Sequence, residues 1–255
     1  MKAKNFSSFK NYLIKERKEF RLLIKEVPSV LLILFTVAVV CMNLMANKSI
    51  ALPFDFLVLD CGIIVSWFVF LALDILTKHF GPKAATQLSL FATGMNVIVC
   101  IFFYILSIIP GTWGEAYLSG YEEIIENALN NTFGGTWYII LGSMIAFCVS
   151  AMVNNFVNYF VGLSFRKNPD SLTAYMCRSY VSTSLGQFAD NFVFALLVSR
   201  IFFGWSLSQC LICSLFGMLA ELVLECIFSV FGWKISEKWR INKVGEKYLK
   251  GEKEC

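Results

Sequence analysis

Apolar positions in this chain fall into six long runs, separated by short stretches that hold most of the charges. A helix rises about 1.5 Å per residue, so a run of about 20 residues crosses the ~30 Å hydrocarbon core of a bilayer. The pattern predicts helices over residues 28–47, 60–77, 84–109, 136–164, 178–200 and 205–233. Pro28 suits a first helical turn. Gly81-Pro82 separates the second and third helices, and Pro110-Gly111 ends the third. The expected fold is all-α: a polytopic membrane protein with six transmembrane helices (28–233) between two basic tails, 1–27 and 234–255. The stretch from Phe6 to Ile24 is amphipathic and suits a helix lying on a membrane surface. Residues 1–27 are too polar to hold the apolar core of a signal peptide.

Composition sharpens this reading. Hydrophobic residues make up 57% of the chain and charged residues 16%, against about 25% charged in soluble domains. That excludes an ordinary soluble domain, a disordered chain and a coiled coil. Of the nine cysteines most lie inside apolar runs, and the one Cys-x-x-Cys pair, Cys210 and Cys213, has no histidine beside it. They read as small buried hydrophobes. His79 is the only histidine, which argues against a zinc site; no metal and no cofactor is expected. Of the 22 Lys and Arg, only Lys48 and Arg200 fall on one side of the predicted topology. The positive-inside rule then places both termini in the cytoplasm of a bacterial cell, with the spans in its cytoplasmic membrane. The outer loop 111–135 has no Lys or Arg but carries Glu115, Glu122, Glu123 and Glu126. The basic tails are expected to rest on anionic lipid rather than to bind nucleic acid.

Ionisable groups are costly at bilayer depth and are candidates for function by default. The fifth helix is the most informative. At about 100° per residue, Ser179, Asp190, Thr183, Phe194 and Gln187 make one stripe about 80° wide, with Arg178 at its inner end. On the fourth helix Ser143, Ser150, Asn154 and Asn158 share a face, and on the sixth so do Ser214, Gly217, Glu221 and Glu225. The segment Asn154-Asn-Phe-Val-Asn158 is also similar to Asp190-Asn-Phe-Val-Phe194. Counted from the expected inner ends, Asp190, Glu221 and Asn96 lie about 18 Å deep, Asn154 about 16 Å, Trp67 about 15 Å and Asn43 about 22 Å. Polar groups from the first and the third to sixth helices near one depth, with an aromatic from the second, suggest a substrate site at the midplane. Asp74 and Lys78, at i and i+4, are expected as a local ion pair or a coupling element. Asn47, Lys48, Asp55 and Asp60 flank the first outer loop, either solvated or as a gate. Catalysis has little support: no Ser–His pair with a Gly-x-Ser-x-Gly motif, no His-Glu-x-x-His and no phosphate-binding Gly-x-x-x-x-Gly-Lys-Ser/Thr loop is present.

Several of these stretches resemble the queuosine-precursor transporter family, also labelled putative vitamin uptake transporters. The fifth-helix pattern Arg-x-x-x-Ser-Thr-x-x-x-Gln-x-x-Asp-x-x-x-Phe is matched by Arg178, Ser182, Thr183, Gln187, Asp190 and Phe194. A second-helix pattern is matched by Asp74 and Gly81, with Lys78 where many members have Glu. A fourth-helix pattern is matched by Phe133-Gly134, Ala146 and Ser150, with Asn154 where members have Asp. The resemblance spans about residues 43–200 and is weakest in the last helix. It implies a six-helix importer of 7-deazaguanine derivatives or queuine. On that view Asp190 or Glu221 accepts from the guanine-like N–H and amino edge. Asn154, Asn158 or Gln187 donates to its carbonyl, and Phe194 or Trp67 stacks on the ring. Asn96 and Asn43 complete the candidate binding set, while Arg178, Asp74, Lys78 and Glu225 are candidates for gating or coupling. The alternative is the substrate-binding subunit of an energy-coupling-factor vitamin transporter, also six-helical and partnered by an ATPase module. No clear Ala-x-x-x-Ala docking motif occurs in the first span, where the small residues are Ala38 and Ala46.

Overall fold

A computed structural model describes residues 2–50, 52–53, 56–135 and 137–251. Asp55 and Lys253 lie outside them. The chain opens with α1 (Lys2–Glu26), which meets α2 (Ser29–Met45) at a bend of 106°. The bend falls at Val27-Pro28, where proline disfavours a helical residue before it. The principal later helices are α3 (Ile63–Phe80), α4 (Pro82–Ile108), α7 (Trp137–Ser164), α8 (Leu172–Phe194) and α10 (Leu207–Ile241). Five helical stretches are long and apolar enough to cross a membrane, or six if the bent α1–α2 pair counts as one span. The protein is a multi-pass, all-α membrane protein.

The predicted breaks are where the structure turns. Gly81, with φ +91, ends α3, and Pro82 opens α4. Two helices differ from expectation at an end by more than three residues. Helix α8 starts at Leu172 rather than 178, because the Ser171 hydroxyl accepts from Ala174 N at 3.1 Å and caps it. At its far end it loosens into a π-type turn (Ala195–Ser199) followed by α9 (Arg200–Phe202). Helix α10 runs eight residues past the predicted end at 233. At about 1.5 Å per residue its 35 residues span about 52 Å, more than a bilayer core requires. Its extension is tied down by Arg240 on Asp170 at 3.3 Å and by Glu237 on Lys78 at 3.6 Å.

The terminal segments are packed rather than free. Leu23 of α1 and Val27 at the bend after it join the core with Phe80, Trp239 and Tyr248, the last from α11 (Glu246–Gly251). Lys83 at the start of α4 pairs with Glu16 at 2.9 Å and Glu19 at 2.5 Å. At the opposite end, β1 (Ser49–Ile50) and β2 (Leu59–Asp60) form a short antiparallel pair that the apolar pattern did not predict. The segment 111–135 folds into α5 (Gly114–Ser119), α6 (Glu122–Asn130) and a π-type turn (Asn131–Gly135). Trp113 and Phe103 both stack on Phe133, so this segment leans on α4.

Candidate functional site

Polar residues gather between α3, α7, α8 and α10 in two layers. The first layer lies toward the β1–β2 end. Helices α8 and α10 bring Asp190, Asn191, Phe194 and Glu221 into a cavity of about 20 Å³, also lined by Met42, Ser66 and Ser143. The Ser150 hydroxyl donates to Asp190 Oδ1 at 2.9 Å. The Ser66 hydroxyl donates to Glu221 Oε1, and Asn191 Nδ2 donates to Glu221 Oε2 at 3.3 Å. A second cavity of about 60 Å³ shares Ala46, Asp60, Asn191 and Phe194 with the first. It continues toward the loop end between the β pair, Phe203 and Trp205. Desolvation at this mouth raises the Asp60 carboxyl above its ordinary value, against the Gly62 N–H that donates to it at 2.7 Å. A water needs about 10–15 Å³, so the inner cavity holds water but not a fused heterocycle, and the site is closed down on its own polar groups. Segment 111–135 lines neither cavity.

Gly217 permits this layer to form. A side-chain carbon there would lie 2.7 Å from Asn191 Nδ2, so glycine admits the amide that reaches Glu221. Among the described residues no Lys or Arg lines either cavity, although Asp60, Asp190 and Glu221 do. Their hydrogen-bonding capacity therefore suits a ligand with donor-rich edges.

The second layer is centred on Asp74, which is fully buried. Asn154 Nδ2, Asn158 Nδ2 and the Ser182 hydroxyl donate to its Oδ1 at 3.2, 2.8 and 3.0 Å. Thr183 donates to Oδ2 at 3.2 Å, and Ser179 also contacts Oδ2. Asn158 turns its carbonyl oxygen to Arg178, which donates from Nη2 at 2.7 Å and Nε at 3.1 Å. The amide thus bridges a cation and an anion with its dipole matched to both. Ser179 reaches Glu225 as well.

The structure divides what depth-counting had placed on one level. Asn154 belongs with Asp74, and Asp190 belongs with Ser150, one turn along α7. The stripe on α8 is correct as a face: Ser179, Thr183 and Gln187 are buried, and Asp190 and Phe194 reach the cavity. Gln187 is fully buried with neither amide atom partnered. The expected Asp74–Lys78 pair does not form, because the donors of α7 and α8 surround Asp74. Lys78 instead pairs with Glu237 and lies 5.0 Å above the Tyr175 ring. Trp67 does not join the site; it stacks on Phe228 at 4.3 Å and donates to Ile64 O at 2.9 Å. Asn43 and Asn96 are buried but line neither cavity. Asn43 donates to Val39 O at 2.7 Å, and Asn96 Nδ2 is unpartnered.

Ser66 and Asn191 are site residues that sequence reasoning did not single out; Ser150, Ser179 and Ser182 were singled out on their helices but not placed in the binding set. Ser66 interrupts an apolar run on α3, and Asn191 adjoins Asp190, so each carried a faint signal. Among the described residues no cluster of three or more His, Cys, Asp or Glu is arranged to hold a metal ion.

A family described as putative vitamin uptake transporter matches residues 60–236. No curated protein and no solved structure matches the chain.

Proposed function

The chain belongs to the putative vitamin uptake transporter family, and on that premise we propose that it imports 7-deazaguanine derivatives or queuine across the bacterial cytoplasmic membrane. The observation that carries the reading is the pair of adjoining cavities between the β1–β2 end and Asp190 and Glu221, with no basic residue lining them among the described residues. A guanine-like edge presents an N–H and an amino group, and two carboxylates are the natural acceptors for them. Phe194 supplies an aromatic surface beside them. The end carrying both termini and most of the Lys and Arg is the cytoplasmic one, so the mouth at Asp60 opens outward. Gln187 lines neither cavity, but it lies one turn from Asp190 on α8 with its amide unpartnered, so a cavity widened by the ligand would gain it as a partner.

Complementation tests this. The protein is expressed in bacteria unable to make or import queuosine precursors, without energy-coupling-factor genes, and precursors are fed at low concentration. Queuosine in tRNA, scored by gel shift, is expected to return. Failure with the protein present in the membrane, followed by recovery when a coupling ATPase module is supplied, would reassign the chain as a substrate-binding subunit.

A further inference from the structure

We propose that Glu225, Ser179 and Asp74 form a proton relay, with the proton resident on Glu225, and that this relay couples the proposed import to proton entry. The argument starts from the Ser179 hydroxyl, which lies against both Asp74 Oδ2 and Glu225 Oε1. A hydroxyl has one proton and donates once. Two ionised carboxylates cannot both be served by it, so one of them carries a proton and donates to the Ser179 oxygen.

The surroundings decide which. Asp74 is met by donors from Asn154, Asn158, Ser182 and Thr183 besides Ser179. Through Asn158 it also faces the Arg178 cation. That is the environment of an anion. Glu225 has Ser179 alone, and its Oε2 is buried without a partner. That is the environment of a neutral acid. The titratable and charged groups around Glu225 are Asp74 and Lys78 on α3, Tyr175, Arg178 and Tyr180 on α8, and Glu221 and Cys226 on its own helix. Neither nearby cation touches it: Lys78 is held by Glu237 and Arg178 by Asn158.

The step balances without any heavy-atom bond changing. Glu225 gives its proton to Ser179 Oγ as Ser179 gives its own to Asp74 Oδ2. A neutral Glu225 and an anionic Asp74 become an anionic Glu225 and a neutral Asp74. Glu225 lies one turn, about 6 Å, along α10 from Glu221 in the substrate layer. Charge arriving on it is therefore felt where the ligand binds. Protonating Asp74 also releases the donors of α7 and α8 that an anion holds, which loosens those helices around the site.

The coupling rests on the proposed import; the proton's location does not, and the experiment separates the two. Full-length protein in liposomes is examined by infrared spectroscopy for the carbonyl stretch of a protonated carboxyl at neutral pH, without substrate. The expected result is a band lost in Glu225→Gln and kept in Asp74→Asn. A band unchanged in Glu225→Gln, or lost only in Asp74→Asn, overturns the assignment. The second arm measures queuine uptake into proteoliposomes with and without an inward proton gradient. One unit of pH sustains up to about tenfold accumulation per proton. Wild type is expected to accumulate queuine under the gradient. Ser179→Ala, which keeps both acids, and Glu225→Gln are expected to lose that accumulation while retaining queuine counterflow. Accumulation that survives in both variants, or a wild type that transports queuine indifferently to the gradient, overturns the relay. If wild type moves no queuine at all, the substrate reading fails and the infrared result alone decides where the proton sits.

Discussion

Replacing Asp190 by Asn separates binding from folding. The Ser150 hydroxyl donates to Asp190 Oδ1 at 2.9 Å, and an amide oxygen placed there accepts the same bond. Among the described residues no Lys or Arg lines the cavity, so the exchange leaves none of them unpaired. Stability is therefore expected to change by less than about 1 kcal/mol. Ligand binding is different. Asp190→Asn replaces one acceptor oxygen by an amide donor and so leaves a ligand N–H buried without an acceptor, which costs about 1–3 kcal/mol, and each 1.4 kcal/mol is about tenfold in affinity. The queuine Kd of purified Asp190→Asn is expected to rise about 5- to 150-fold. Equilibrium binding of radiolabelled queuine, with thermal unfolding run in parallel, measures both quantities. A Kd within about threefold of wild type, or ~0.7 kcal/mol, in a protein of unchanged Tm would show that the ligand does not lean on Asp190.

Three further outcomes follow from the same geometry. Asn158→Leu removes the amide between Arg178 and Asp74 and leaves both charges unpartnered on that side, so the unfolding free energy should fall by about 3 kcal/mol; an unchanged thermal midpoint would contradict the bridge. Trp113→Ala strips the stacking of segment 111–135 on Phe133 but touches neither cavity, so queuine affinity should hold while α5 and α6 become more susceptible to protease. The Lys83 ammonium holds the Glu16 carboxyl below its ordinary 4.5, so the docking of α1 that this pair supports is fully present above that value and weakens as pH falls below it. Hydrogen exchange in α1 should then rise on acidification in wild type, and Lys83→Met should abolish that dependence.

The long helices were legible because run length and helical period are local properties of the sequence. Their ends were less so. The cap at Ser171 sits among polar residues that a membrane-thickness argument discards, and α10 continues to Ile241 because charge stops a span without stopping a helix. That error carried into the site. Depths counted from guessed ends merged two layers, putting Asn154 level with Asp190 although it serves Asp74. The faces of α7, α8 and α10 were readable from spacing alone, since side chains about one turn apart share a side. Which face meets which depends on helix packing, and there the sequence was silent. Asp74 looked like half of a local pair with Lys78, yet it is the acceptor at which α7 and α8 converge. Trp67 was close to the right depth but faces Phe228. The β1–β2 pair at the mouth has two-residue strands, too short for an alternating pattern to register.

The central claim is that a heterocycle with a donor-rich edge binds at Asp190 and Glu221. The most direct test is equilibrium binding to the purified wild-type protein of two 7-deazapurines that differ only in the 2-amino group. The account predicts that the 2-amino compound binds and that its deaminated analogue, which leaves a buried acceptor unpaired, binds about tenfold more weakly. Equal affinity for the two, or no binding of either, would contradict it.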